Sequence, residues 1–166
     1  MTRVGAMLRK TSPPPDPTTL EVRRLMVASE GRPIPYEVIV QALEMARPLK
    51  AYVFVLSIAR VWGTALGFPN PGLQPNKREW AEQKRIVKEA VSAFEKAGHE
   101  SNGIVLATRR AAKRISNEAE LREMDAIVMG ADPKRGPLGD FMWSQEPHRV
   151  ARRSSAVPVY LVPLSG

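Results

Sequence analysis

Asp125-Ala126-Ile127-Val128-Met129-Gly130 and Val157-Pro158-Val159-Tyr160-Leu161-Val162 are the stretches whose reading decides the fold. The first is short, rich in β-branched and uncharged residues, and closes on glycine. That is the pattern of a strand buried on both faces that ends in a turn. The second has the same character, with Pro158 unable to donate to a ladder and so suited to a strand's first position or a sheet edge. Between them, 131–139 must be loop, because Pro133, Gly136, Pro137 and Gly139 fix φ, remove donors and loosen the backbone. A basic helix holding Arg149, Val150 and Arg153 then leads into the last strand.

The same alternation repeats upstream. Leu20 to Ser29 reads as a strand broken by Glu30-Gly31-Arg32-Pro33, and Ile39, Ala42, Leu43 and Ala46 form one apolar helical stripe that Pro48 ends near Arg47. Tyr52 to Ile58 is a second strand. Residues 61–75, with Gly63, Gly67, Pro69, Pro71, Gly72 and Pro75, make a long irregular connection in which Trp62, Leu66 and Phe68 either pin it to the body or form a lid over a ligand. Asn76 and Glu79 have the spacing of a capping pair for a helix whose stripe is Trp80, Val87, Ala90, Val91 and Phe94, ended by Gly98. Gly103 to Thr108 is a third strand, and 109–123 a helix with Ala111, Ala112, Ile115 and Ala119 inward. Five strands thus alternate with four helices, which predicts an α/β fold: a doubly wound parallel sheet, helices on both faces, right-handed crossovers.

A chain of 166 residues is one domain's worth, and 43% hydrophobic with 25% charged residues is ordinary globular composition. No run approaches the ~18 apolar residues of a membrane span, so no membrane partner is expected. The N-terminus carries Arg3 without an apolar core, and there is no cysteine, so the expected location is cytoplasmic. Residues 1–19, with prolines at 13, 14, 15 and 17, are expected to be a disordered tail before a domain at 20–164. A formal charge of +8 implies attraction to anions without choosing among them.

The Asp125–Gly130 run, the glycine-containing loop, a serine, Arg149-Val150 and Val157-Pro158-Val159 resemble the C-terminal third of the universal stress protein family. Arg23-Arg24-Leu25-Met26-Val27-Ala28-Ser29-Glu30-Gly31 resembles that family's first strand, which usually ends in Asp-Gly; the resemblance covers roughly 20–163. It implies a five-stranded sheet of order 3-2-1-4-5, adenine nucleotide alpha hydrolase-like, and a homodimer through the last strand (157–162), an edge too apolar to be left open. In that order the switch point lies between the first and fourth strands, so a ligand would sit beyond their carboxyl ends, against Glu30, Gly31, Met129, Gly130, Lys134, Arg135, Gly136, Gly139 and Ser144. ATP or AMP is the ligand the resemblance implies.

The phosphate-binding pattern is incomplete here. Nucleotide-binding members of the family carry G-x2-G-x9-G-[S/T]; Gly130 matches the first glycine and Ser144 the hydroxyl, but Pro133 and Trp143 stand at the other two. Pro133 has no N–H and Trp143 is bulky where close backbone approach is wanted, so an altered or lost phosphate site outweighs an intact one. Gly136 and Gly139 offer another loop path, with Lys134 and Arg135 adding charge. Glu30 stands where the resemblance places an acid near the nucleoside, or is a solvated turn carboxylate; Ser144 donates to phosphate or caps the following helix, which Pro147 suits. Arg109, Arg110, Lys113 and Arg114 begin a helix, either as a solvated basic face or as an anion-recruiting rim.

Catalytic constellations are absent from the sequence: no HExxH, GxSxG or Walker A pattern, and two histidines, His99 read as a surface cap and His148 as a helix-surface residue. The expectation is a non-enzymatic binding or regulatory module with weak adenine-nucleotide binding. The alternative is a module engaging an anionic ligand or protein through its arginines. With 6% aromatic residues, several needed in the core, the signal for nucleic acid is faint.

Overall fold

The computed structural model describes residues 13–60, 64–65, 68–69, 77–132, 146–154 and 156–165. In chain order these form β1 (Arg24–Ser29), α1 (Tyr36–Ala46), β2 (Tyr52–Arg60), β3 (Thr64–Ala65), β4 (Phe68–Pro69), α2 (Lys77–Lys96), β5 (Ser101–Thr108), α3 (Ala111–Leu121), β6 (Ala126–Ala131), α4 (Glu146–Arg153) and β7 (Val159–Pro163). The main sheet runs β5-β2-β1-β6-β7 with every pair parallel. Numbering only its five strands along the chain, that is the expected order 3-2-1-4-5.

Alternation along β1 builds two cores. Leu25 and Val27 point to the face covered by α1 and α2, where Val38, Ala42, Met45, Val87, Ala90 and Phe94 close over them. Met26 and Ala28 point to the opposite face, against Ala112, Ile115 and Ala119 of α3 and Val150 of α4. The central strands β1 and β6 are therefore covered on both sides, as their uninterrupted apolar runs require.

Several boundaries differ from the sequence reading. β1 begins at Arg24 rather than Leu20, and the Arg23 and Arg24 N–H groups at its start are taken by the Asp125 carboxylate at 2.8 and 2.9 Å. The buried stripe of α1 is Val38, Ala42, Met45 and Ala46, with Ile39 and Leu43 only partly buried beside it. β6 runs one residue past Gly130 to Ala131, and Pro158 precedes β7, its carbonyl accepting the Ile127 N–H at 2.9 Å. Within the 61–75 connection, expected to be irregular, Thr64–Ala65 and Phe68–Pro69 pair as a small antiparallel ladder; Trp62, Leu66 and the capping Asn76 lie outside the described residues. His99 is not a surface cap. Gly98, at φ +91°, reverses the chain after α2, and the His99 ring is buried with Nδ1 3.0 Å from the Ala51 carbonyl.

Of the stretch read as a tail, residues 13–19 are described. Asp16 accepts the Thr18 N–H (2.8 Å) and hydroxyl (2.7 Å), forming a turn, and the Tyr160 hydroxyl donates to the Pro15 carbonyl at 2.7 Å. These bonds tie the turn to β7. Among the described residues no helix is long and apolar enough to cross a membrane.

Candidate functional site

β1 and β6 are neighbours at the centre of the sheet, and the chain leaves them toward opposite edges, β1 toward β2 and β6 toward β7. Their carboxyl ends define the crevice of a doubly wound sheet. Two acids stand there: Glu30, 3% exposed, directly after β1, and Asp132, 6% exposed, directly after β6. Arg32 lies between them, its Nε donating to Glu30 and its Nη1 to Asp132. Burying two carboxylates side by side is costly unless a cation with matching donors compensates, and the guanidinium fork supplies both bonds from one group.

The turn carrying Glu30 and Arg32 is held from beneath. Gly31 sits at φ +110°, a conformation that other residues adopt only with strain, and its N–H is 3.3 Å from the Ser29 hydroxyl, which itself donates to the Arg32 carbonyl. Gln83, 2% exposed on the inner face of α2, donates to the Gly31 carbonyl at 2.9 Å and to Glu79 at 3.2 Å. Its amide oxygen accepts the hydroxyl of Ser57, the residue that pairs with Ser29 across β1 and β2. A buried polar chain thus runs from β2 through α2 to the turn, and fixes it.

Beside the turn lies a cavity of about 170 Å³ lined by residues that include Ala28, Ile34, Val38, Gly130 and Leu164. Drug-sized ligands occupy pockets of ~300–1,000 Å³, so the space bounded by these residues is smaller than such a pocket. Gly130 contributes space: a Cβ there would stand 3.1 Å from both Leu164 Cδ2 and Val38 Cγ2. Among the described residues of the crevice two carboxyl groups face one guanidinium, a balance that does not by itself attract phosphate.

Of the residues predicted for the site, Glu30, Gly31 and Gly130 meet at this crevice. Met129 is wholly buried in the core under α3 and α4. Lys134, Arg135, Gly136, Gly139 and Ser144, with Pro133 and Trp143, lie outside the described residues. The sequence reading did not single out Arg32, Asp132, Ser57 or Gln83. Gln83 had a signal: it is the polar member of the stripe Trp80, Gln83, Val87, Ala90, where an amide must find buried partners.

A second concentration of charge lies where α3 and α4 begin. Arg109, Arg110, Lys113, Arg149, Arg153 and Glu146 line a groove of about 310 Å³. Arg110, at the N-cap of α3, offers no side-chain cap; instead Glu146 reaches across from α4 and accepts the Ala112 N–H at 3.3 Å, while its other oxygen accepts from Arg149 at 2.8 Å. The carboxylate thereby both caps α3 and joins the helices.

The family model that matches the chain is that of the universal stress protein family, over residues 21–163. No curated protein matches the chain. Among solved structures, a universal stress protein from Archaeoglobus fulgidus is 22% identical, with a TM-score of 0.62 over 87% of this chain and 95% of its own. The A. fulgidus universal stress protein in complex with dAMP gives 21% identity and a TM-score of 0.60, covering 83% of this chain and 95% of that one. A family protein from Arabidopsis thaliana with AMP bound gives 16% and 0.55 over 86% and 92%. At such identities the structures speak for the fold alone, and the match of the family model over nearly the whole chain speaks for membership: this chain belongs to the universal stress protein family.

Proposed function

We propose that the chain is a non-catalytic binding and regulatory module whose switch-point crevice takes an adenine nucleotide, ATP or AMP, only weakly. The observation that carries this reading is the Arg32 bridge between Glu30 and Asp132. A nucleotide entering the crevice would have to displace Arg32 from buried carboxylates or bring its phosphates against them, and both reduce affinity. Relatives that hold dAMP or AMP support the choice of ligand class. Pro133 and Trp143, standing where the family pattern has glycine, support the weakness. A homodimer through β7, at the sheet edge, belongs to the same reading.

Titration calorimetry with AMP and ATP tests it, on the natural chain and on Pro133→Gly/Trp143→Gly. The restored N–H contributes a charge-assisted bond of ~1.5–3 kcal/mol, so the double variant should bind ATP roughly tenfold to a hundredfold tighter. Submicromolar ATP binding by the natural chain would overturn the reading.

The charge of the α3–α4 groove favours a second reading, in which the module engages an anionic partner there.

A further inference from the structure

We propose, resting on the second reading above, that the groove between the starts of α3 and α4 binds a condensed phosphate, a di- or triphosphate group. Among the described residues, five cations against one carboxylate leave the groove four net positive charges, half of the chain's formal +8. They come from two separate segments, 109–113 and 149–153, and converge on one concave space. The N-terminal end of α3 adds its own positive partial charge at the same place. Cations from two segments facing one space repel one another even with Glu146 among them, and an anion seated there relieves that repulsion.

The shape and lining choose among anions. Arginine forks match phosphate oxygens two at a time, and a phosphate brings nearly two charges and three acceptors in one group. An extended acidic peptide presents carboxylates on one side only every second residue, about 6.6 Å apart, too sparse to neutralise five cations in about 310 Å³. No aromatic side chain lines the groove among the described residues, so nothing there stacks a base, which argues for the phosphate chain itself rather than a nucleic acid. Glu146 is already committed to Ala112 and Arg149, and it sets the groove's geometry while lowering its charge.

Inorganic tripolyphosphate is the probe, titrated calorimetrically into the full chain at two salt concentrations. Binding should weaken steeply with salt, and Lys113→Gln with Arg153→Gln should weaken it at least tenfold. Lys88→Gln with Lys96→Gln, exposed on α2, should leave it unchanged. Glu146→Gln should tighten it several-fold while lowering the melting temperature, a pairing that a purely structural carboxylate would not produce. ATP that competes with tripolyphosphate identifies the tail of a nucleotide as the source, and ATP that does not identifies a free condensed phosphate; both sustain the site. If the charge variants fail to fold, the natural chain still decides, because millimolar tripolyphosphate must raise its melting temperature by mass action. No such rise, equal loss in the α2 control, or tighter binding of polyglutamate or single-stranded RNA than of tripolyphosphate would overturn the proposal.

Discussion

Arg32→Met removes the one described cation placed between Glu30 and Asp132 while keeping most of the side chain's bulk. Breaking a fully buried ion pair by deleting one partner costs ~3–5 kcal/mol. Here the acids are buried, but the Arg32 side chain is 34% exposed, so solvent screens part of the interaction and a loss of about 2–3 kcal/mol is expected. For a domain of this size that corresponds to a fall of about 4–12 °C in melting temperature. Urea unfolding should show a lower midpoint at an unchanged slope, since the surface exposed on unfolding is the same. The triple variant Glu30→Gln/Arg32→Met/Asp132→Asn leaves no buried charge uncompensated and should recover most of the loss. A single variant within about 0.5 kcal/mol of the natural chain, or a triple variant no more stable than the single, would show that Arg32 does not neutralise the crevice, and the argument for weak nucleotide binding would lose its carrying observation.

Gly103→Ala should destabilise by ~1–3 kcal/mol in urea melts, because the new Cβ would stand 2.4 Å from Val87 Cγ1 and 2.8 Å from the Val55 carbonyl, a backbone atom that cannot step aside. Tyr160→Phe should cost ~0.5–1.5 kcal/mol by removing the bond to the Pro15 carbonyl. Burial first, and then the charge of Asp16, push the Tyr160 phenol above its ordinary 10.0, so the unfolded chain loses this proton first as pH rises. The stability tied to that proton is therefore present below pH 10 and declines above it, and stability measured across pH 9–11 should fall more steeply for the natural chain than for Tyr160→Phe. Sedimentation at micromolar concentration should give a dimer that Leu161→Glu dissociates, and a monomer mass for the natural chain would exclude β7 as the interface.

How far these properties could be read from the sequence differs from level to level. The uninterrupted apolar runs at 25–28, 53–56 and 126–129 suit strands covered on both faces, so a parallel sheet between helix layers follows from the sequence itself. Periodicity locates α1 but ranks its faces imperfectly: Ile39 is at least as apolar as Val38, yet Val38 is the one fully buried, packed in the core with Leu25, Val27 and Val128. His99 read as a surface cap because polarity is a local property, whereas its burial beside Ala51 depends on a chain reversal at Gly98. Within the strand 157–162 expected to form the dimer edge, Val159 is buried in the core under α3 and α4, which leaves the partly buried Leu161 as the side chain that a partner proposed at β7 would meet.

The site was less legible than the fold, because charge pairing is a long-range property. Glu30 and Asp132 are about a hundred residues apart in sequence, and nothing local to either says that one arginine serves both. A formal +8 likewise conceals two opposite environments among the described residues: a crevice where two buried acids face one arginine, and a groove where five cations face Glu146. Coulomb attraction alone should then distribute ligands by charge. On the readings proposed above, a neutral nucleoside meets no charge repulsion from the two acids, whereas each added phosphate would be repelled at the crevice and attracted to the groove. Across adenosine, AMP and ATP, affinity at the crevice should therefore fall or stay level while tripolyphosphate-competable binding rises, the reverse of what a single intact phosphate loop would give.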